Sequence, residues 1–186
     1  MQESVDSDYV PGIVTGTFDI ADPSISDDTV TAIESANSNG ELTGDVLTTN
    51  LVDYRGYGYI GINAEKVKVG SDRGSVESRN LRKGLMTVMS VYRDTVINSY
   101  YGEQASVIQY PISNTSWAAP RPTDEGYQNA YSVGVDGQPI YTDGMTEQER
   151  FDAALAAAIE YIKAAGYTWD EATGTFTAAP EGASMT

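Results

Sequence analysis

The sequence has no cysteine and no histidine, and only 11 lysines and arginines stand against 27 aspartates and glutamates. Each shortage removes a class of chemistry. Without cysteine there is no disulfide, thiolate nucleophile or thiolate zinc site. Without histidine the commonest general base and metal ligand is missing, so Ser-His-Asp, Cys-His, H-E-x-x-H and zinc-deaminase arrangements are excluded within the chain. A formal charge of −16 repels nucleic acid and anionic lipid. The few cations around Arg73, Arg79, Arg82 and Lys83 alternate with Asp72 and Glu77, the pattern of a solvated helix face. No apolar run approaches the roughly eighteen residues of a membrane helix, so a soluble chain without membrane insertion is expected. The opening MQESVDSDYVPG lacks the basic and apolar regions of a signal peptide, and none is expected there.

What is present fits a globular fold. The chain has 186 residues, 40% of them apolar, enough for one domain or one lobe of something larger. Residues 1–12 read as a flexible entry, and 14–21, VTGTFDIA, as a strand stopped at Asp22-Pro23. Ser26 is an N-cap, with Asp27 and Asp28 in the first turn, where the helix dipole favours negative charge. That helix should end in the turn 37–40. Residues 45–52, DVLTTNLV, read as a strand.

The stretch from Tyr57 to Trp117 is the best patterned. Gly56, Gly58 and Gly61 match the dinucleotide-binding spacing, but that mechanism needs a helix directly after the glycines. Here the chain alternates through Tyr57, Tyr59/Ile60 and Ile62 as a strand and enters a loop, so no nucleotide site is expected. A helical region starts near Ser75. Leu81, Leu85, Val88/Met89, Tyr92, Val96 and Tyr100 give it one buried face, with a break near residues 90–92 and a stop at Gly102. Gly84 inside it predicts a close packing contact. Residues 105–112, ASVIQYPI, read as another strand.

Residues 113–145 are loop-rich, with a hairpin turn at Asp136-Gly137. The final helix opens on a capping box, Thr146 with Glu149, and should bury Phe151, Leu155, Ile159 and Ile162 before stopping at Gly166. Its alanines predict tight packing. A small hairpin, YTWDEATGTFTA, and a frayed tail at 177–186 complete the chain.

Catalytic candidates are thin. Asp53, Asp72, Asp94, Asp124 and Asp143 could pair as the carboxylates of a hydrolase, but none sits in a recognisable spacing. DSDYVPG and NSNGELTGD suggest a calcium module without matching the calcium-loop pattern. No cofactor and no enzymatic activity are expected.

Several segments together resemble family 5 of the bacterial extracellular solute-binding proteins, the peptide-binding components of ABC importers. GTFDIADPS (16–24) is similar to a strand near that family's hinge. YIGIN, ending at Asn63, precedes a loop and then NLRKGLMTVMSVYRDTVINSYYG (80–102), with Arg93-Asp94 inside it. PISNTSW (111–117) and FDAALAAAIEYIKAAGYTWDEATGTF follow in the family's order, so the resemblance covers about residues 12–176. Tyr92 departs from it where an acidic residue is usual, and Gly84 where alanine is.

The resemblance implies an α/β fold: part of one lobe of a type II periplasmic-binding-protein fold, a mixed sheet flanked by helices, spanning residues 13–176. It implies a non-catalytic role, capturing oligopeptides or similar small solutes between two lobes and delivering them to an ABC permease. The setting implied is extracellular, as a cell-surface lipoprotein or in a periplasm. Tyr101 and Gln104 after the helix stop, and Asn114, Ser116 and Trp117 in the following turn, become the ligand-binding candidates, joined by Tyr54 and Tyr57 at the strand entry. Amides and hydroxyls can bond a peptide backbone while an aromatic ring covers its side chains.

Overall fold

A computed structural model describes residues 5–53, 55–101 and 104–185, apart from the side chains of Asp94 and Asn98. The fold is α/β in the broad sense. The described residues form four helices, α1 (Asp6–Val14), α2 (Asp27–Ala36), α3 (Val76–Tyr101) and α4 (Glu147–Ala164), and two strands, β1 (Thr168–Asp170) and β2 (Thr175–Ala178). The strands pair antiparallel, Trp169 opposite Phe176. Two compact units divide the chain: residues 1–55 with 95–107, and residues 56–94 with 108–186.

In the first unit, local chemistry overrides the strand expected at 14–21. Gly16 takes φ +73°, and the amides of Gly16 and Thr17 bond back to the carbonyls of Ile13 and Gly12, ending α1 in a Schellman motif. Phe18 then folds onto α1, so close to Gly12 that any Cβ there would collide with its ring. The entry residues expected to be irregular thus include a nine-residue helix. α2 follows its sequence signals, with the Ser26 hydroxyl accepting the Thr29 amide at 3.2 Å.

The strand expected at 45–52 is a loop wound around one side chain. Asn37, 5% exposed at the end of α2, donates to the carbonyls of Glu41 and Leu47 and accepts from the amides of Val46 and Leu47. Gly44 passes so near that a Cβ would lie 2.6 Å from the Asn37 side chain. Buried Leu47 and Ile33 supply the apolar contribution.

The second unit is built on helix packing. The loop after Asn63 is strapped to the start of α3 by two side chains. The hydroxyl of fully buried Ser78 accepts the Val69 amide and bonds the Asp72 carbonyl, and Arg82 donates to the carbonyls of Val67 and Arg73. α3 runs unbroken for 26 residues, so no break falls at 90–92; the Gly102 stop lies outside the described residues. At Gly84, α3 meets α4 closely: a Cβ there would sit 2.9 Å from Ile162 Cγ1 and 3.0 Å from the Ala158 carbonyl oxygen. The capping box at Thr146 and Glu149 forms as the sequence indicates.

Which face of α4 is buried differs from the expectation. Ala154, Ala158, Tyr161 and Ala165 are the buried residues, while Leu155 is 43% exposed. On α3, Leu81 is buried but Leu85, Tyr92, Val96 and Tyr100 are exposed. The small residues permit the close helix approach, while Leu85 on α3 and Leu155 on α4 stay exposed.

The mixed sheet is not found among the described residues. Residues 56–63 and 105–112 form no strand, and the only sheet among the described residues is the two-stranded hairpin. Gln109 and Tyr110 bond by their side chains to Ala130 and Gln128 instead of forming a ladder. The Asp136-Gly137 turn forms, with Gly137 at φ +82° and the Gly134 amide on the Gln138 carbonyl. At the tail, the Gly70 amide bonds the Gly182 carbonyl and the Tyr167 hydroxyl bonds the Ser184 carbonyl.

Candidate functional site

Within the second unit, residues 111–126 form a loop clasped at its base. The Tyr110 hydroxyl donates to the Gln128 carbonyl at 3.1 Å and accepts the Gln128 amide at 3.2 Å, and Tyr110 packs against Tyr127 with ring centroids 5.6 Å apart. The turn inside it is fixed by Arg121, whose guanidinium donates to the carbonyls of Asn114 and Ser116 at 2.9 and 3.0 Å. The Arg121 amide bonds the Asp124 carboxylate at 2.8 Å, closing the return. Ser113 and Ala119 are buried beneath, anchoring both sides.

Trp117 stands on this fixed turn at 94% exposure. It therefore fills no core and covers no helix end. The Ser116 hydroxyl accepts the Ala118 amide and Asn114 is exposed. Tyr57 is tied in by its hydroxyl, which donates to the Pro111 carbonyl at 3.0 Å. The structure thus brings Tyr57 to the start of the segment carrying Asn114, Ser116 and Trp117. Tyr101 and Gln104 belong to the other unit, both half-buried, with Tyr101 packed edge-on to Tyr100 at 4.6 Å. Tyr54 lies outside the described residues.

A second feature escaped the sequence reading. Leu85, Val88 and Met89 of α3, Leu155, Ile159 and Ile162 of α4, and Trp169 and Phe176 of the hairpin wall an open trough of about 570 Å³. Ile62 and Val67 close one side. The 3.6-residue periodicity identified these stripes but could not say that they stay uncovered. Behind the trough, the buried Tyr161 hydroxyl reaches the Val133 carbonyl at 2.9 Å, and burial, with Asp136 adding, pushes that phenol's pKa up.

Of the two segments weighed as calcium loops, residues 37–45 turn side-chain oxygens onto their own backbone. Asp6 and Asp8 lie in the first turn of α1. Asp45 accepts the Ser38 amide at 2.9 Å, a bond that holds its carboxyl below the usual range, and the Asn39 side chain bonds Thr43 and Glu41. Among the described residues no three carboxylates converge as a cation site would require. No helix there is long and apolar enough to cross a membrane.

No family model matches this chain, and neither the curated proteins nor the solved structures compared with it give a match.

Proposed function

We propose that this chain forms one wall of a solute cleft in a non-catalytic peptide-capturing component of an ABC importer, with the Trp117 turn as its contact element. The observation that supports this reading most is a tryptophan held in solvent by a turn whose carbonyls are pinned by Arg121. Ordering a turn and then exposing its largest apolar side chain has no folding benefit, and such anchors are typical of binding surfaces. An indole face covers side chains without selecting among them. The type II periplasmic-binding-protein lobe, the extracellular setting and the permease partner enter this proposal through the sequence resemblance.

The test uses a Trp169→Phe background, which leaves Trp117 as the single indole of a chain with two. Titration with a mixture of short unstructured peptides should change Trp117 emission saturably. One wall of a cleft is expected to reach a Kd of about 1 mM, roughly −4 kcal/mol. Arg121→Ala should raise Trp117 mobility, read by fluorescence anisotropy, and weaken binding. The reading fails if the peptides are cleaved, which mass spectrometry would show, or if calorimetry finds Trp117→Ala binding them unchanged.

A further inference from the structure

Residues 56–62, GYGYIGI, belong to no helix or strand, and their backbone groups make no hydrogen bond to another described residue. An alternating β-patterned run with free amides and carbonyls is a template for another strand. Its glycines point the same way. Neither Gly58 nor Gly61 has a positive φ; a Cβ on Gly58 would meet nothing within 4 Å, and one on Gly61 only the Tyr59 ring at 3.6 Å. The chain's own conformation and packing therefore do not require glycine here. Glycine within a strand otherwise marks a place where another backbone comes close.

The run leads into the trough at Ile62, which lines it together with Met89 and Ile159. An occupant must satisfy backbone hydrogen bonds along 56–62 and place apolar side chains against α3 and α4. An extended strand does both, and a helix or a small apolar molecule does only the second. Charge narrows the choice further. A second copy would set −16 against −16, so the matching strand comes from a different polypeptide with neutral or basic flanks.

We propose that residues 56–62 and the adjoining trough form a docking site for an apolar β-strand of a partner polypeptide, which pairs along 56–62 and lays one face into the trough. This site is distinct from the Trp117 turn and does not depend on its reading.

A Trp117→Phe variant leaves Trp169, in the trough wall, as the sole indole. The probe is a synthetic peptide of alternating valine and threonine with a lysine at each end. Trp169 emission should shift saturably with this peptide, and at least about tenfold less tightly with the same peptide N-methylated at every amide. Tyr59→Pro and Ile60→Pro each remove one amide donor, from opposite edges of the run. One of them should weaken binding about tenfold while far-UV circular dichroism stays unchanged, since no internal hydrogen bond is lost. Absence of binding, equal binding of the N-methylated peptide, or indifference to both prolines would overturn the proposal. So would concentration-dependent self-association in sedimentation velocity that either proline abolishes, because the occupant would then be a second copy.

Discussion

Replacing Asn37 probes the most concentrated polar contact in the first unit. Its amide spends both donors and both acceptor positions on the backbone of residues 41–47, at 2.7–3.2 Å, while 5% exposed. Asn37→Ala strips four bonds, each with a net worth of about 1 kcal/mol. The Leu47 carbonyl keeps the Gly44 amide as a partner, and water can reach part of the vacated space. A loss of about 2–4 kcal/mol follows. Asn37→Asp is the sharper variant. It keeps the two accepted bonds but turns a carboxylate oxygen toward the carbonyls of Glu41 and Leu47, which previously received N–H groups. Lone-pair repulsion and burial raise the folded pKa of the new aspartate above its unfolded value. The folded form then binds the proton more tightly, so the deficit is full above the folded pKa and shrinks as pH falls through it toward the unfolded pKa. Urea unfolding followed by far-UV circular dichroism measures both variants, and hydrogen exchange at the Val46 and Leu47 amides reports the loop directly. A change under about 0.5 kcal/mol for Asn37→Ala, with those two amides still protected, would refute the reasoning.

Gly84→Ala should lose roughly 1–2 kcal/mol by thermal unfolding, because pressing a methyl against the Ala158 carbonyl outweighs the gain in helix propensity. Leu155→Gln should change stability by less than about 0.5 kcal/mol, whereas Ala158→Val, at a buried position on the same helix, should cost about 1–3 kcal/mol; denaturant midpoints with unchanged slopes would establish the contrast. The Glu149 carboxyl is held below its usual range by the Thr146 amide and hydroxyl. Its support for the start of α4 is therefore complete above the unfolded carboxylate pKa and is lost as pH falls through the depressed folded value. Glu149→Gln should flatten that part of the acid titration of helix content, and an unchanged acid limb would count against the capping contribution.

Signals complete within a few residues were legible in the sequence. The Ser26 cap, the Thr146–Glu149 capping box and the Asp136-Gly137 turn each need only their own neighbours to form, and all are present. Strands were not legible, because a β pattern states a preference that only a partner can fulfil. Residues 14–21, 45–52, 56–63 and 105–112 have the composition of strands, yet none of them forms one. Gly16 reverses the first, Asn37 gathers the second, and side chains of 109 and 110 take up the last. The α1 helix was missed because Pro11-Gly12 argues against helix, while the Schellman ending that Gly16 permits was read as part of a strand.

The candidate site shows the same limit from another side. Periodicity marks a helix face as apolar but not what faces it. On α4 two apolar stripes compete, one of small residues at 154, 158 and 165, and one of large residues at 155, 159 and 162. Transfer free energy alone favours burying the larger side chains. Gly84 works against that preference, since its bare backbone on α3 lets α4 come close at Ala158 and Ile162. Leu155, Ile159 and Ile162 line an open trough, and residues 56–62, whose backbone bonds no other described residue, lead into it at Ile62. A single glycine that a substitution scan would treat as a local packing detail thus sets how closely α3 and α4 approach beside that trough.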